Sequence, residues 1–435
     1  GLLDRVYNEK KYKSICGVRI DYEKVEELLY SYRKKSMDFL KNALNSIENV
    51  SCYREKNIGK EKRVNLCCGC GSCKITCPVD AIKLSTNNGF WQATVVAEKC
   101  INCGKCVKVC PFIGLESDFQ VLNGKLYSYK DKSDNVLLNS SSGGAAYRLA
   151  KILWEKGYGV VGCCYDTNKA SAKHILISRQ EQLNLIQGSK YVQSDFFNAL
   201  HEIKNYNRPL VIFGTPCQIA GAKKALNENN NVIYIDLICH GVPTQLAMDK
   251  YINYLQRKKQ FFNEKFNVIF RYKKRGWHER YIFVSDSGHV YCQHQSKDPF
   301  FRLFESGFCY SEACYECRWR DRSEADIRVG DYWGAKFKKD HTGVSMVLAC
   351  NRKGDETIEE LEEHGKLQKQ DIKDYFINQQ TSNSHMPVFY NRLLLDLKNE
   401  NVNIENCINS FIAPTEKRLK LSRRVRKIVH IVLRH

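Results

Sequence analysis

Two cysteine runs constrain this chain more than any other feature. Residues 67–78 read CCGCGSCKITCP and residues 100–111 read CINCGKCVKVCP. Each contains the spacing C-x2-C-x2-C-x3-C-P, in which three thiolates take three corners of one 4Fe-4S cube and the cysteine before proline reaches the other cube. The spacing therefore predicts two clusters that exchange one ligand. Cluster one would be held by Cys67, Cys70, Cys73 and Cys110, and cluster two by Cys100, Cys103, Cys106 and Cys77.

The spacing is that of a bacterial two-cluster ferredoxin, and Cys68 falls out of its register. Zinc and disulfides are the alternatives, but zinc sites typically take two separated ligand pairs and disulfides do not persist in a reducing cytosol. The chain has 21 cysteines and no signal-like apolar N-terminus, which predicts a cytoplasmic, reducing setting. No apolar run is long enough to span a bilayer.

A length of 435 residues predicts more than one domain. We expect an α+β protein, a two-cluster ferredoxin module fused to a mixed α/β FAD-binding domain. The predicted boundaries are 1–62 for an N-terminal helical extension, 63–116 for the ferredoxin domain, 117–400 for the main domain and 401–435 for a basic amphipathic tail. The formal charge of +20 favours acidic partners, among them an acidic electron carrier, a phosphate-rich cofactor, a membrane surface or nucleic acid.

A Ser/Gly loop precedes a helical pattern early in the main domain. Residues 139–144 read NSSSGG, and apolar residues at helical spacing follow from Ala146. Unpaired backbone N–H groups at a helix N-terminus attract anions, and glycines let the backbone approach a ligand closely. The loop therefore predicts a phosphate site, with a simple helix cap as the alternative.

Two later segments end a strand pattern with glycine and cysteine. They are PLVIFGTPCQIAG, which contains Cys217, and NVIYIDLICHGVP, which contains Cys239. The carboxyl ends of strands in an open α/β sheet are where ligands bind, so both thiols could face one site. The C-x2-C pair of Cys314 and Cys317 could complete a third cluster, with Cys309 as a competing ligand. Zinc and buried structural cysteines are the alternatives.

From Cys67 to about Asn351 the chain resembles the coenzyme F-420 hydrogenase/dehydrogenase beta-subunit family, in the form with an N-terminal two-cluster ferredoxin. The segments that carry the resemblance are SSSGG (140–144), QGSKYVQS (187–194), FGTPCQIAG (213–221), DLICHGVP (236–243), CYEC (314–317), ADIRVGDYWG (325–334) and TGVSMVL (342–348).

The resemblance implies FAD and an inner 4Fe-4S cluster. The inner cluster would be held by Cys217, Cys239, Cys314 and Cys317. The flavin would be lined by Ser140, Ser141, Ser142, Gly143, Gly144, Gln187, Gly188, Ser189, Lys190, Tyr191, Gln193, Gly214 and Thr215.

The predicted function is that of an iron-sulfur flavoprotein oxidoreductase. Electrons would pass from the ferredoxin clusters through the inner cluster to FAD and on to a two-electron acceptor, or in reverse. Lys190 is a candidate for placing charge near the flavin, or a solvated lysine. His240 is a candidate proton donor, or a structural histidine.

The predicted partners are ferredoxin or a similar carrier and a small-molecule or coenzyme substrate. One rival is an electron-transfer subunit that feeds a separate enzyme, and the other is a nucleic-acid-binding iron-sulfur protein, which charge alone suggests. In the tail, basic residues from Lys417 to Lys427 alternate with apolar residues at helical spacing. This pattern predicts peripheral contact with the inner membrane face, or alternatively a helix packed on the body or a flexible end.

Overall fold

The computed structural model describes residues 57–59, 66–114, 119–261, 265–377, 379–380 and 382–418. The predicted N-terminal helical extension, apart from residues 57–59, and the amphipathic part of the tail beyond 418 lie outside the described residues. Within the described residues, no helix is both long enough and apolar enough to cross a membrane.

The ferredoxin module consists of two short helices and one antiparallel hairpin. In each cysteine run the helix follows a glycine in the left-handed region, Gly71 (φ 75°) and Gly104 (φ 73°), a conformation that other residues adopt only at a cost. Both runs therefore turn in the same way around their third cysteine. The elements are α1 (Ser72–Thr76), β1 (Ile82–Asn87), β2 (Phe90–Val95) and α2 (Lys105–Lys108).

The main domain alternates strands and helices. Its strands are β3 (Lys125–Asp131), β4 (Gly159–Asp166), β5 (Ser171–Leu176), β6 (Ser194–Asp195), β7 (Leu210–Gly214), β8 (Val232–Leu237), β9 (Asn267–Tyr272), β10 (Tyr281–Ser285), β11 (Val290–His294), β12 (Ile327–Asp331), β13 (Ser345–Ala349) and β14 (Gly365–Gln370). Its helices are α3 (Asp134–Asn139), α4 (Ala145–Glu155), α5 (Leu183–Ile186), α6 (Phe197–Glu202), α7 (Pro216–Ala225), α8 (Gln245–Lys259), α9 (Pro299–Ser306), α10 (Glu312–Tyr315), α11 (Arg352–Glu359), α12 (Tyr390–Lys398) and α13 (Ile404–Cys407), followed by a π-helical turn at Ile408–Ile412.

Nine strands form one mixed sheet in the order β14-β3-β13-β12-β8-β7-β4-β5-β6. Strands β4, β7, β8 and β12 run parallel. Strand β13 runs antiparallel to β12, and β3 runs antiparallel to β13, so β3 points in the same direction as β12. The side chains of β7 are buried throughout, as expected for a strand covered on both faces. The order brings the carboxyl ends of β7, β8 and β12 together at one edge. A separate sheet has the order β11-β10-β9.

The packed body extends past the predicted boundary at residue 401. Ile404, Cys407, Ile408 and Ile412 are buried in the same apolar core as helices α8, α9 and α12. Burial of these side chains favours a domain that continues to Ile412, because each buried aliphatic side chain contributes about 1.5–3 kcal/mol.

Candidate metal centres

The predicted ligands of cluster two surround one cavity. A cavity at the surface of the ferredoxin module is lined by Cys77, Cys100, Cys103 and Cys106. Cys77 comes from the first cysteine run and the other three from the second, so the structure brings together the set that the exchanged register requires. The backbone N–H of Ala81 donates to Cys77 Sγ at 3.2 Å.

The predicted ligands of cluster one are also neighbours. Burial raises the pKa of Cys73 well above its ordinary value, and Cys70, Cys67 and Cys110 add electrostatic repulsion. Burial likewise raises the pKa of Cys110 to about 12, with Cys70 and Cys67 contributing. Several thiolates packed this closely need a cationic centre to balance their charge. The backbone N–H of Gly69 donates to Cys67 Sγ at 3.4 Å.

The main domain carries a second, larger cavity at the edge of the sheet where β7 and β8 end. Its lining contains all four cysteines predicted for the inner cluster, together with Cys68 from the ferredoxin module, Trp319 and Arg320. The four are Cys217, Cys239, Cys314 and Cys317. Cys309, the competing ligand, is not part of this lining. Its thiol is fully buried in the apolar core and donates to the Leu303 carbonyl at 3.9 Å.

Local structure explains why these thiols converge. Thr215 and Gln218 form a reciprocal cap at the start of α7, and this cap places Cys217 in the first helical turn. Cys239 follows β8 by two residues. A short helix, α10, carries Cys314, and the backbone N–H of Trp319 donates to Cys317 Sγ at 3.4 Å.

A buried ion pair holds the loop behind the C-x2-C pair. The guanidinium of Arg328 donates to both carboxylate oxygens of Asp236, at 2.6 and 2.7 Å, and both side chains are almost completely buried. The same guanidinium donates to the carbonyls of Trp319, Arg320 and Arg322. The Asp236–Arg328 pair, which the sequence reasoning missed, therefore links the end of β8 to the loop after Cys317.

Two features fit the inner cavity to a cluster. The indole Nε1 of Trp319 is buried and has no hydrogen-bond partner among the described residues, although its side chain lines the cavity. Burial raises the pKa of Cys239 to about 12, and Cys217 and Cys317 add to the shift. An acceptor inside the cavity would satisfy the indole N–H of Trp319, and a cationic centre would balance the charge of the Cys239 thiolate and its neighbours.

If this site bound zinc instead, its ligands would all have to coordinate a single metal ion. Within the described part of the chain, no three His, Cys, Asp or Glu side chains stand where a single metal ion could join them. A 4Fe-4S cube instead takes each thiolate on a different iron atom, so its ligands surround a volume.

Cys68 connects the inner cavity to cluster one. The Cys68 thiol lies within hydrogen-bonding reach of both Cys70 and Cys217. These hydrogen bonds, which share its single proton, lower the pKa of Cys70 to about 7 and lower the pKa of Cys217. The pKa of Cys68 itself is raised well above its ordinary value by these bonds. This cysteine, which the spacing left without a role, therefore bridges one predicted ligand of each site.

Helix α7 brings the same two sites together. A Cβ atom added at Gly221, one turn after Cys217, would lie 2.6 Å from Ser72 Oγ and 3.0 Å from Cys70 Sγ. Only glycine allows this approach. Hydrogen bonds from Lys204 to the Ile75 carbonyl (2.7 Å) and from Gln193 to the Cys68 carbonyl (3.1 Å) hold the ferredoxin module in place.

The two segments predicted to line a flavin meet each other. Gln187 Nε2 lies 2.9 Å from Ser140 Oγ, and the hydroxyls of Ser141 and Ser189 are 2.8 Å apart. The glycines of the loop serve packing: a Cβ at Gly143 would lie 2.1 Å from the Tyr129 carbonyl, while Gly144 has φ 89° and precedes α4. Gly188, in the partner segment, also has a left-handed backbone conformation, with φ 80°.

A buried cationic group that the sequence reasoning did not single out lies beside the Ser/Gly loop. Arg271 pairs with Asp331 at 3.1 Å and stacks on Trp333, and its buried Nε has no hydrogen-bond partner among the residues that the structure describes. Lys273 donates to the Ser142 carbonyl at 2.7 Å, and burial lowers its pKa to about 7. An unsatisfied guanidinium N–H beside a serine loop suits an anionic, phosphate-bearing cofactor.

The remaining predicted residues divide between the two sites. Tyr191 packs against the rings of Phe270, Phe301 and Phe304 and lies beside Arg271. Thr215 and Gln193 line the inner cavity, and Gly214 ends β7 next to them.

The structure places the two candidate catalytic residues as follows. Lys190 donates from Nζ to three backbone carbonyls, at 2.9–3.0 Å, and burial lowers its pKa to about 8. Desolvation and the Arg320 guanidinium lower the pKa of His240, which lies next to Cys239. Lys190 thus closes the end of α5, and His240 favours the neutral form.

Comparisons with known proteins match the two parts of the chain separately. Residues 66–113 match the 4Fe-4S dicluster domain family, and residues 207–375 match the family described as the C terminus of the coenzyme F-420 hydrogenase/dehydrogenase beta subunit. A curated relative is one of the subunits of the Na(+)-translocating ferredoxin:NAD(+) oxidoreductase complex of Acetobacterium woodii, 47% identical over 45 residues, which are 10% of this chain and 13% of that protein. The chain thus spans about an eighth of the length of this relative.

A solved structure with some similarity is a chain of the F-420-reducing NiFe hydrogenase complex from Methanosarcina barkeri, derivatized with xenon. It is 16% identical, with a TM-score of 0.39, over 66% of this chain and 90% of that chain.

Proposed function

We propose that this chain is an iron-sulfur flavoprotein oxidoreductase. The premise is that it joins a 4Fe-4S dicluster domain to a domain of the coenzyme F-420 hydrogenase/dehydrogenase beta-subunit family. Its path for electrons runs from cluster two to cluster one, through an inner cluster, to FAD and a two-electron acceptor, or in reverse. The chain is an iron-sulfur electron-transfer protein in any case, because the dicluster domain binds 4Fe-4S clusters. The inner cluster, the flavin and the acceptor are the proposal.

The cavity of Cys217, Cys239, Cys314 and Cys317 carries this proposal. It collects four thiols from three separate segments of the chain, and its lining includes a thiol of the ferredoxin module. The Cys68 thiol, which hydrogen-bonds to Cys70 and Cys217, supports direct electronic contact between cluster one and this cavity. These contacts therefore favour one electron-transfer chain that passes from cluster one to the inner cluster.

FAD, when bound, would convert single electrons into the electron pairs of hydride chemistry. Ser140, Ser141, Gln187 and Ser189 would hold it, since these side chains already meet in one place. The unsatisfied Nε–H of Arg271 beside the Ser/Gly loop supports an anionic group there. Lys190 would fix the second segment through its three carbonyl contacts, which is a positioning role.

His240 supports a different part of the proposal. It follows Cys239 in the chain, its side chain hydrogen-bonds to Gln379, and Arg320 donates to the backbone carbonyls of Cys239 and His240 at 3.1 and 3.4 Å. Because the lowered pKa favours a neutral imidazole, His240 would carry one N–H donor at neutral pH, outside the lining of the inner cavity. We retain proton donation to substrate as a second use of this side chain.

The second candidate function is an electron-transfer subunit without a substrate site of its own. The curated relative of the ferredoxin module is itself part of a multi-subunit redox complex, which favours this candidate. A purified chain that oxidises or reduces nothing until a partner protein is added would select it. The cytoplasmic setting and the contact of the tail with a membrane remain predictions.

Metal and flavin analysis of anaerobically purified full-length protein tests the proposal. We expect about twelve iron atoms per chain, at four per cluster, and one extractable FAD. About eight iron atoms would contradict the inner cluster, and the absence of flavin from protein with full iron content would contradict the FAD site.

A further inference from the structure

The surface above cluster two differs from the surroundings of the other thiols. Among the cysteines of the described residues, Cys103 is the exposed one, while the ligands of cluster one and of the inner cavity are buried or half-buried. Apolar side chains surround it: Ile101 is 60% exposed and Val79 is 37% exposed, and both line the cavity of cluster two. A protein partner can therefore approach this cluster more closely than the other two sites.

The same rim is basic. Lys99 and Lys105 flank the exposed loop, and Lys83 and Lys108 are exposed nearby. Within the described part of the chain, none of these four lysines forms an ion pair, whereas Asp80 is already paired with Lys74 at 2.8 Å. Glu98 is the other acidic side chain in this stretch. The rim therefore presents excess positive charge around an apolar centre.

We propose that Val79, Lys99, Ile101, Cys103 and Lys105 form the docking surface of a small acidic one-electron carrier protein. This inference rests on the proposed function and identifies where its electrons enter or leave. During an encounter, the reduced centre of the carrier loses one electron and the cluster held by Cys77, Cys100, Cys103 and Cys106 gains it. No bond is broken and no proton needs to move.

Charge and apolar contact have separate tasks in such a complex. Complementary charge raises the association rate, by about 10-fold to 1,000-fold at low ionic strength, and salt screens this effect. Weak redox encounters bury little surface, so a few exposed apolar side chains suffice at the centre. The pair of Ile101 and Val79 meets this need, and the surrounding lysines supply the steering charge.

The test is stopped-flow reduction of the full-length holoprotein by a reduced, acidic two-cluster ferredoxin. The variant is Lys99→Glu with Lys105→Glu, and the matched control is Lys366→Glu with Lys369→Glu, two exposed lysines on the edge strand β14. We expect the docking variant to lose at least about tenfold in the second-order rate constant at low salt. The loss should shrink at high salt, and the control should keep the wild-type rate.

Two outcomes would overturn the docking surface. One is a wild-type rate in the docking variant, and the other is an equal loss in the β14 control, which would indicate a non-specific effect of net charge. A second variant, Ile101→Ser, should raise the dissociation rate without changing the salt dependence, and an unchanged rate would contradict the apolar contact.

Reduction by dithionite separates this inference from the proposed function. Dithionite is a small reductant and does not need the docking surface, so cluster reduction in the docking variant should match the wild type. If dithionite reduces the clusters but the flavin stays oxidised in all proteins, the proposed function fails, and the docking surface is still decided by the ferredoxin rates.

Discussion

Cys68 and Cys77 show how neighbouring cysteines take different roles. Cys77 lines the cavity with the three ligands of the second run, whereas Cys68 lines the inner cavity and hydrogen-bonds to Cys70 and Cys217. We predict that Cys77→Ser loses the iron of cluster two, because one of its four thiolates is gone. Cys68→Ser should keep all its iron, because a hydroxyl retains the donor.

Iron analysis with EPR spectroscopy of both variants checks this prediction. Loss of iron in Cys68→Ser together with full iron in Cys77→Ser would reverse the assignment of the cysteine register.

Trp319 tests whether the inner cavity holds a charged group. Its buried Nε1–H lacks an acceptor within the part of the chain that the structure describes, so a cluster sulfur would be its partner. Hydrogen bonds to a cluster stabilise the reduced form, and one such bond is worth about 1–1.5 kcal/mol. Trp319→Phe should lower the potential of the inner cluster by about 45–65 mV.

An anaerobic redox titration followed by EPR measures this potential. Trp333→Phe is the matched control, since Trp333 stacks on Trp277 and is not part of the cavity lining. An inner-cluster potential that stays unchanged in Trp319→Phe, or that rises, would contradict a hydrogen bond to the cluster.

The residues that the sequence identified are those whose partners are close in the chain or follow a strand. Spacing alone predicted the two ferredoxin sets, and the strand-end rule predicted Cys217 and Cys239. The sequence did not reveal the Asp236–Arg328 pair, whose members are 92 residues apart, or the pairing of Arg271 with Asp331, 60 residues apart. Such contacts depend on the order of strands in the sheet, which local patterns do not encode.

At the level of elements, the Asp236–Arg328 pair joins β8, β12 and the loop after the C-x2-C pair. We predict that Arg328→Ala destabilises the protein by about 3–5 kcal/mol, because it leaves Asp236 buried without a counter-ion and frees three carbonyls. The variant should also lose iron from the inner cavity.

Denaturant unfolding under anaerobic conditions measures this effect. Arg352→Ala is the control, since Arg352 pairs with Glu356 on the surface, with the two side chains 92% and 59% exposed. This change should alter stability by less than about 0.5 kcal/mol. Equal changes in the free energy of unfolding would contradict the prediction that the buried pair stabilises the protein more than the surface pair.

Helix α7 spans the gap between cluster one and the inner cavity. Gly221→Ala should push this helix away from α1, since the added methyl group would meet Ser72 and Cys70. Alanine is intrinsically favoured over glycine in a helix by about 1 kcal/mol, so any loss of stability must come from this contact. We expect slower electron transfer between the two sites.

Gly288→Ala is the control, because nothing lies within 4 Å of a Cβ at this position. Stopped-flow kinetics on both variants measure the transfer. Wild-type kinetics in Gly221→Ala would contradict a route through this contact.

For the whole molecule, the three sites form a series from surface to interior. The thiols predicted for cluster two lie at the exposed end, and Cys106 of that set interacts electrostatically with Cys73 of the set predicted for cluster one. The inner cavity meets the set predicted for cluster one through Cys68 and α7. The Ser/Gly loop and its partner segment lie elsewhere on the sheet edge and would hold the flavin. The central claim is that electrons cannot pass from the module to the flavin without the inner cluster.

Stopped-flow reduction of the flavin in Cys314→Ala tests this claim most directly, with Cys309→Ala as the matched control because Cys309 lies in the apolar core outside the cavity. We predict that Cys314→Ala falls from about twelve to about eight iron atoms. It should keep its bound FAD and lose flavin reduction by reduced ferredoxin, while Cys309→Ala retains both iron and activity. Unchanged iron together with normal flavin reduction in Cys314→Ala would contradict the account.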